Sequence, residues 1–234
     1  MGRLDAVLGR CLEANNRWIA RREQGTPNPL PLSRVPGLGE LQASVDDLAG
    51  EWRRFVAGGG TLPRLDDVLG EDQGADGTWR AGLIWFAGRR VEPLADAFPR
   101  TLELTERIGG LRAVLWSVLD AGTELPEHRG PNAGVLRFHL GVDCGAHAGL
   151  RIDGHDIDMV DGAAVLFDDT DPHASWNRGG APRTTLFLEF VRPLDGAVGR
   201  VNRVVQRALA QDSRYRNAPR RAASLQRAAG SASP

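Results

Sequence analysis

His128 lies in Glu127-His128-Arg129-Gly130-Pro131, and His173 closes the run from Phe167 through Asp168, Asp169, Thr170, Asp171 and Pro172. Two histidines at different strand ends can meet in the mouth of a β-barrel. There, neutral imidazoles hold Fe(II), Zn(II) or Mn(II). Taken alone, two of five histidines could equally be solvated loop residues, as His147 and His155 read in their polar, Gly-rich turns. Residues 135–142 alternate. Leu136, Phe138, Leu140 and Val142 share one face, and Arg137 and His139 share the other with Val135 and Gly141. On an open sheet that polar face meets solvent. In a small jelly roll it lines the cavity, where an Arg and a His can bind a carboxylate by charge-assisted hydrogen bonds. Arg183 opens the apolar run RTTLFLEFV. It is either a solvated strand start or the partner of a second ligand carboxylate. Ser117 puts a hydroxyl between Leu115 and Leu119 on an apolar face, which also suits a buried serine bonded to backbone.

Positioning these groups takes β-structure. Short β runs bounded by Gly, Pro, Asn or Asp are expected at 112–119, 135–142, 149–153, 155–160, 163–168, 173–177 and 183–191. Asp153-Gly154 and Asp161-Gly162 are hairpin-type pairs. The expected fold class is mainly β with flanking helices (α+β), built as a sandwich, barrel or jelly roll. Apolar spacing predicts helices over 2–22, from Leu41 to Phe55, over 98–108 and over 197–210. Residues 25–38 and 58–78 read as loops, the second long and Gly/Asp-rich. The expected division is a helical layer over 1–75, a β domain over 76–193, a helix over 194–210 and a disordered Arg-rich tail over 211–234.

Composition narrows the function classes. The chain has 234 residues, 41% hydrophobic and 25% charged, as in ordinary globular proteins. A net charge of −1 gives no global basic field for nucleic acid, and none is expected as a partner. Every basic residue is Arg, so a lysine nucleophile, a Schiff base and a P-loop are excluded. Two distant cysteines, Cys11 and Cys144, build neither a disulfide framework nor a thiolate zinc site. The first residues lack a secretory apolar core, and no apolar run approaches a membrane span. A cytoplasmic protein without a membrane partner is the expectation.

The string HRGPNAGVLRFHLGV (128–142), then DG and AAVLFDDTDPHASWN within 161–177, then Arg183, resembles the aspartyl/asparaginyl β-hydroxylase family. The similarity extends back through LWSVLDAGTELPEHRGP, and more weakly through GTWRAGLIWFAGRR and Pro99-Arg100-Thr101, covering roughly residues 76–193. The resemblance implies a double-stranded β-helix, cupin-like in outline. It also implies an Fe(II)- and 2-oxoglutarate-dependent dioxygenase that uses dioxygen to hydroxylate an unactivated C–H bond, such as the β-carbon of an Asp/Asn-type residue. His128 and His173 match the iron ligands. Arg137 and His139 match the pair near the iron-chelating end of 2-oxoglutarate. Arg183 matches the partner of its far carboxylate, Ser117 the hydroxyl that assists it, and Trp79 a residue bordering the pocket. Asp169 matches the second Asp of the FDD string, which can hold an iron-bound water.

Most non-haem iron oxygenases carry an acid two residues after the first histidine. Here that residue is Gly130. The family resembled also has glycine there, so the gap does not imply a dead site. The expected substrate is an amino acid, a peptide or a carrier-bound aminoacyl group, selected by a lid at 58–78. Two other classes remain open at this level: a non-catalytic cupin-like module that binds a metal or small molecule, and a metal hydrolase with Asp169 as base.

Overall fold

The computed structural model describes residues 3–211 and 213–231. Helices precede, flank and follow ten strands. They are α1 (Arg3–Arg22), α2 (Leu38–Ala43), α3 (Val45–Ala57), α4 (Leu65–Leu69), α5 (Pro99–Glu106), α6 (Gly196–Leu209) and α7 (Ser213–Ser231). The strands are β1 (Trp79–Phe86), β2 (Arg89–Arg90), β3 (Leu111–Leu119), β4 (Glu124–His128), β5 (Val135–Asp143), β6 (Ala148–Ile152), β7 (His155–Asp158), β8 (Ala164–Phe167), β9 (His173–Asn177) and β10 (Arg183–Val191).

They form two antiparallel sheets, ordered β2-β1-β3-β10-β5-β8 and β4-β9-β6-β7. From β3 onward the chain passes back and forth between the sheets, which is the winding of a double-stranded β-helix. The expected fold class is therefore the observed one. The outer face of the larger sheet carries the main core. Trp116, Phe138, Leu186 and Leu188 pack there with Leu48, Trp52, Phe98 and Leu102 of the helices. Trp52 stacks on Trp116 at 5.2 Å between ring centroids. This burial explains the apolar parity of β5: Leu136, Phe138 and Leu140 belong to that core, so Arg137 and His139 must point between the sheets.

Several local expectations change. The helix expected from Leu41 to Phe55 is two, broken at Ser44. Strands β1, β2 and β4 were not expected. Arg80 and Gly82 interrupt the apolar run in β1, and Pro126 interrupts β4, an edge strand where proline is tolerated. The 58–78 segment is not all loop: α4 lies within it, with Leu65 and Val68 buried. The tail expected to be disordered over 211–234 carries α7. Its Ala222 is fully buried, packed with Leu65, Val68, Ala81 and Leu83. An Arg-rich composition hid that apolar stripe of small residues, which gains a partner only when α4 and β1 come together. Of that tail, residues 212 and 232–234 lie outside the described residues, as does residue 2 of the first expected helix.

Candidate active site

Between the sheets lies a cavity of about 340 Å³, walled in part by Leu65, Val68 and Leu69 of α4. Every residue singled out above for iron or 2-oxoglutarate lines it: Ser117, His128, Arg137, His139, Asp169, His173, Arg183 and Trp79. His147 and His155 do not line it.

His128 and His173 are register partners across β4 and β9, and their rings lie 4.1 Å apart between centroids. Each is oriented by its own backbone. Nδ1 of His128 is 2.8 Å from the Pro126 carbonyl, and Nδ1 of His173 is 3.0 Å from that of Asp171. A carbonyl only accepts, so the hydrogen sits on Nδ1 and each Nε2 keeps its lone pair. Burial lowers the His173 pKa, although the Asp171 carbonyl opposes the shift. Both features suit a metal ligand. Among the described residues, no third His, Cys, Asp or Glu joins them in a metal-holding cluster.

Asp169 approaches from the turn after β8. Its Oδ2 accepts a 3.0 Å hydrogen bond from Nε of Arg137, while its Oδ1 is buried without a partner. Its carbonyl accepts the Gly130 N–H at 2.6 Å. His139, buried beneath, has its pKa held well below the ordinary histidine value, by burial first and then by Arg183, Arg137 and His173. Its Nδ1 also lacks a partner.

Arg183 lies at the deep end. It is 2% exposed, and no carboxylate among the described residues pairs with it. Its Nη1 donates to the Ser175 hydroxyl and, at 3.4 Å, to the Gly149 carbonyl, while its Nε has no partner. Burial pushes its pKa down to about 10. An arginine desolvated without a counter-charge is costly unless a ligand supplies the anion.

A family model described as aspartyl/asparaginyl beta-hydroxylase matches residues 43–193. The chain belongs to that family. This β-hydroxylase-family chain is 28% identical over 183 residues to the ornithine lipid ester-linked acyl 2-hydroxylase of Rhizobium tropici, covering 76% of this chain and 65% of that protein. It is 27% identical over 123 residues to human aspartyl/asparaginyl beta-hydroxylase, covering 50% of this chain and 16% of that protein. It thus spans just under two thirds of the first relative and about a sixth of the second. A prolyl-4-hydroxylase structure from Pseudomonas putida aligns at 20% identity and a TM-score of 0.42, over 65% of this chain and 88% of that one. So loose a likeness carries no functional weight.

Two cavity residues of this hydroxylase-family chain escaped the sequence analysis. The hydroxyl that Arg183 touches is Ser175, whereas Ser117 accepts a 2.9 Å hydrogen bond from the Trp79 indole. Ser175 follows His173 by two residues and so shares its face, a signal that alternation could have supplied. Glu189 shares a face with Arg183 on β10 by the same rule. It accepts from Nη1 of Arg137 and lies 3.2 Å from Nη1 of Arg112. The resulting chain, Arg112–Glu189–Arg137–Asp169, holds the Asp169 carboxylate in place.

Proposed function

We propose that this hydroxylase is Fe(II)- and 2-oxoglutarate-dependent, with dioxygen as co-substrate. The observation that carries the proposal is Arg183, a buried cation without a carboxylate partner, set deep in the cavity whose mouth holds the two histidines. A dicarboxylate reaching from one to the other satisfies both ends. The unpartnered atoms fit the same group: Nε of Arg183, Oδ1 of Asp169 and Nδ1 of His139 all lie buried around that cavity.

His128 and His173 would hold the metal through Nε2. Iron with 2-oxoglutarate supplies the oxidising power for an unactivated C–H bond, with succinate and carbon dioxide as co-products. The protein's share is positioning and exclusion of water. Arg183, with the Ser175 hydroxyl bonded to it, would anchor the far carboxylate. His139, kept neutral by burial, adds no competing charge near the chelating end. Arg137 is tied to Asp169 and Glu189 and so fixes the acid beside the histidines. The unpartnered Oδ1 of Asp169 would stand beside the metal site as a hydrogen-bond acceptor.

Apart from Gln73 and Arg129, the rest of the cavity wall is apolar, with Leu65, Leu69, Leu83, Phe86, Leu115 and Leu150 facing it. This favours a substrate that enters with an aliphatic or acyl segment, carrier- or lipid-borne, over a free aspartate. The two relatives named above act on an ester-linked acyl chain and on aspartyl or asparaginyl groups, as their names state. Anaerobic calorimetric titration of 2-oxoglutarate into metal-loaded protein tests the assignment. Binding that needs the metal and disappears in His173→Ala and Arg183→Ala is expected. Absence of binding in folded, metal-loaded protein would return the cupin-like binding module to first place.

A further inference from the structure

The exposed face of the α1/α6 pair has no role in the chemistry above. The two helices pack together and are pinned by a 3.0 Å hydrogen bond between the buried side chains of Asn15 and Asn202. On α1, Val7, Cys11 and Trp18 form an exposed stripe at i, i+4 and i+11, with Trp18 42% exposed. Beside it run Arg10, Arg17 and Arg21, one turn or two apart, with Arg22 at the end. On α6, Val201 and Val204 are exposed, Val204 to 64%, and are flanked by exposed Arg200, Arg203 and Arg207. Among the described side chains of these two helices, the only carboxylate is Glu13, 3.9 Å from Arg17. A chain of net charge −1 thus gathers seven exposed arginines on two adjoining helices, interleaved with a tryptophan and valines.

We propose that the outer face of α1 and α6 is a docking surface for an anionic lipid bilayer. Charge complementarity selects the occupant. Arginines beside exposed Trp and Val are what an interfacial helix needs, the cations meeting headgroup phosphates and the apolar groups entering the acyl boundary. No described helix is long and apolar enough to cross a membrane. The expectation of no membrane partner rested on the lack of such a span, and peripheral docking needs none.

The same helices hold the loop that borders the cavity. The Asn16 side chain donates to the Pro131 carbonyl at 2.8 Å and accepts from the Ala133 N–H at 3.0 Å. Asn202 donates to the Gly134 carbonyl at 2.9 Å. Pro131 lines the cavity three residues after His128. Docking on the outer face would therefore set the cavity mouth close to the lipid, whatever the chemistry inside.

The test is co-sedimentation of the full chain with phosphatidylcholine vesicles, with and without phosphatidylglycerol. Binding only to the anionic vesicles, weakened by salt, is expected. Arg200→Glu/Arg203→Glu/Arg207→Glu should lower the partition coefficient roughly tenfold or more, and Trp18→Ala should lower it severalfold. Arg220→Glu/Arg227→Glu on α7 should leave it unchanged. Thermal melts confirm that these surface variants fold. The proposal is overturned if anionic vesicles capture no more protein than neutral ones, or if the α7 variant loses binding and the α6 variant keeps it. It is equally overturned if sedimentation velocity shows the face occupied by a second copy while vesicles are ignored. None of these readouts depends on iron or 2-oxoglutarate, so the oxygenase assignment stands or falls separately.

Discussion

Gly130 and Asp169 share one space. A Cβ built on Gly130 would stand 2.2 Å from Oδ2 of Asp169. The position two residues after the first histidine therefore carries no side chain because a carboxylate from another turn fills its place. That carboxylate is held by Arg137 and has one oxygen free.

Gly130→Asp, which writes the usual two-histidine, one-acid spacing into the sequence, should therefore abolish activity rather than strengthen it. Even Gly130→Ala must push Asp169 aside, and at least a tenfold loss of turnover is expected. Steady-state kinetics with metal titration checks this. Higher metal affinity with retained turnover in Gly130→Asp would show that the acid can be supplied from position 130.

Arg183→Met should act in opposite directions on binding and on stability. Losing the charged partner of a buried carboxylate weakens 2-oxoglutarate by about 2 kcal/mol or more, roughly thirtyfold in Kd. The ligand-free protein should be unharmed or more stable, because an uncompensated buried cation has been replaced by an apolar chain. Calorimetry and thermal melts of the same samples read both effects.

The two serines should separate. Ser175→Ala removes the hydroxyl bonded to Arg183 and should raise the 2-oxoglutarate Kd about fivefold, the size of one lost hydrogen bond. Ser117→Ala should leave that Kd nearly unchanged and shift the Trp79 indole instead. The reverse pattern would support the role that the family resemblance implies for Ser117.

Acid should destabilise the ligand-free protein. His139 and His173 have lowered pKa values, both chiefly through burial. Above the ordinary histidine value of about 6.5 both are neutral, folded or unfolded, and contribute no pH dependence. Below it the unfolded chain takes up protons that the folded chain refuses, so stability falls as pH falls. For His139 the slope approaches about 1.4 kcal/mol per pH unit. Urea unfolding over this range measures it, and His139→Gln should flatten the profile.

Ala222→Asp should undock α7. Ala222 is fully buried among Leu65, Val68 and Leu83, and an unpaired carboxylate there costs about 3 kcal/mol or more. Limited trypsin digestion should then cut at Arg220, Arg221 and Arg227 well before the β domain is touched. Unchanged protection would mean that α7 adjusts its register without leaving.

Much of this molecule was legible from residue order alone. Alternation is a local property, so Arg137 and His139 could be placed opposite Leu136 and Phe138 before any sheet was known. Turn pairs such as Asp153-Gly154 and Asp161-Gly162 are equally local. Seven of the ten strands followed from them. The strands that escaped, β1, β2 and β4, owe their state to pairing: Trp79–Phe86 is extended because β3 binds it, Arg89–Arg90 because β1 does, and Glu124–His128 because β9 does.

What only tertiary structure decided depends on residues far apart in the chain. Ser175 rather than Ser117 meets Arg183 because the smaller sheet folds over β10. Asp169 fills the gap at Gly130 because two separate turns converge. The Arg-rich tail becomes a helix because α4 and β1 offer its alanines a place out of water. Sequence fixes which face a side chain takes within its own element. Which faces meet, and which charges are thereby left buried without partners, is set by packing between elements, whose energy no local pattern contains.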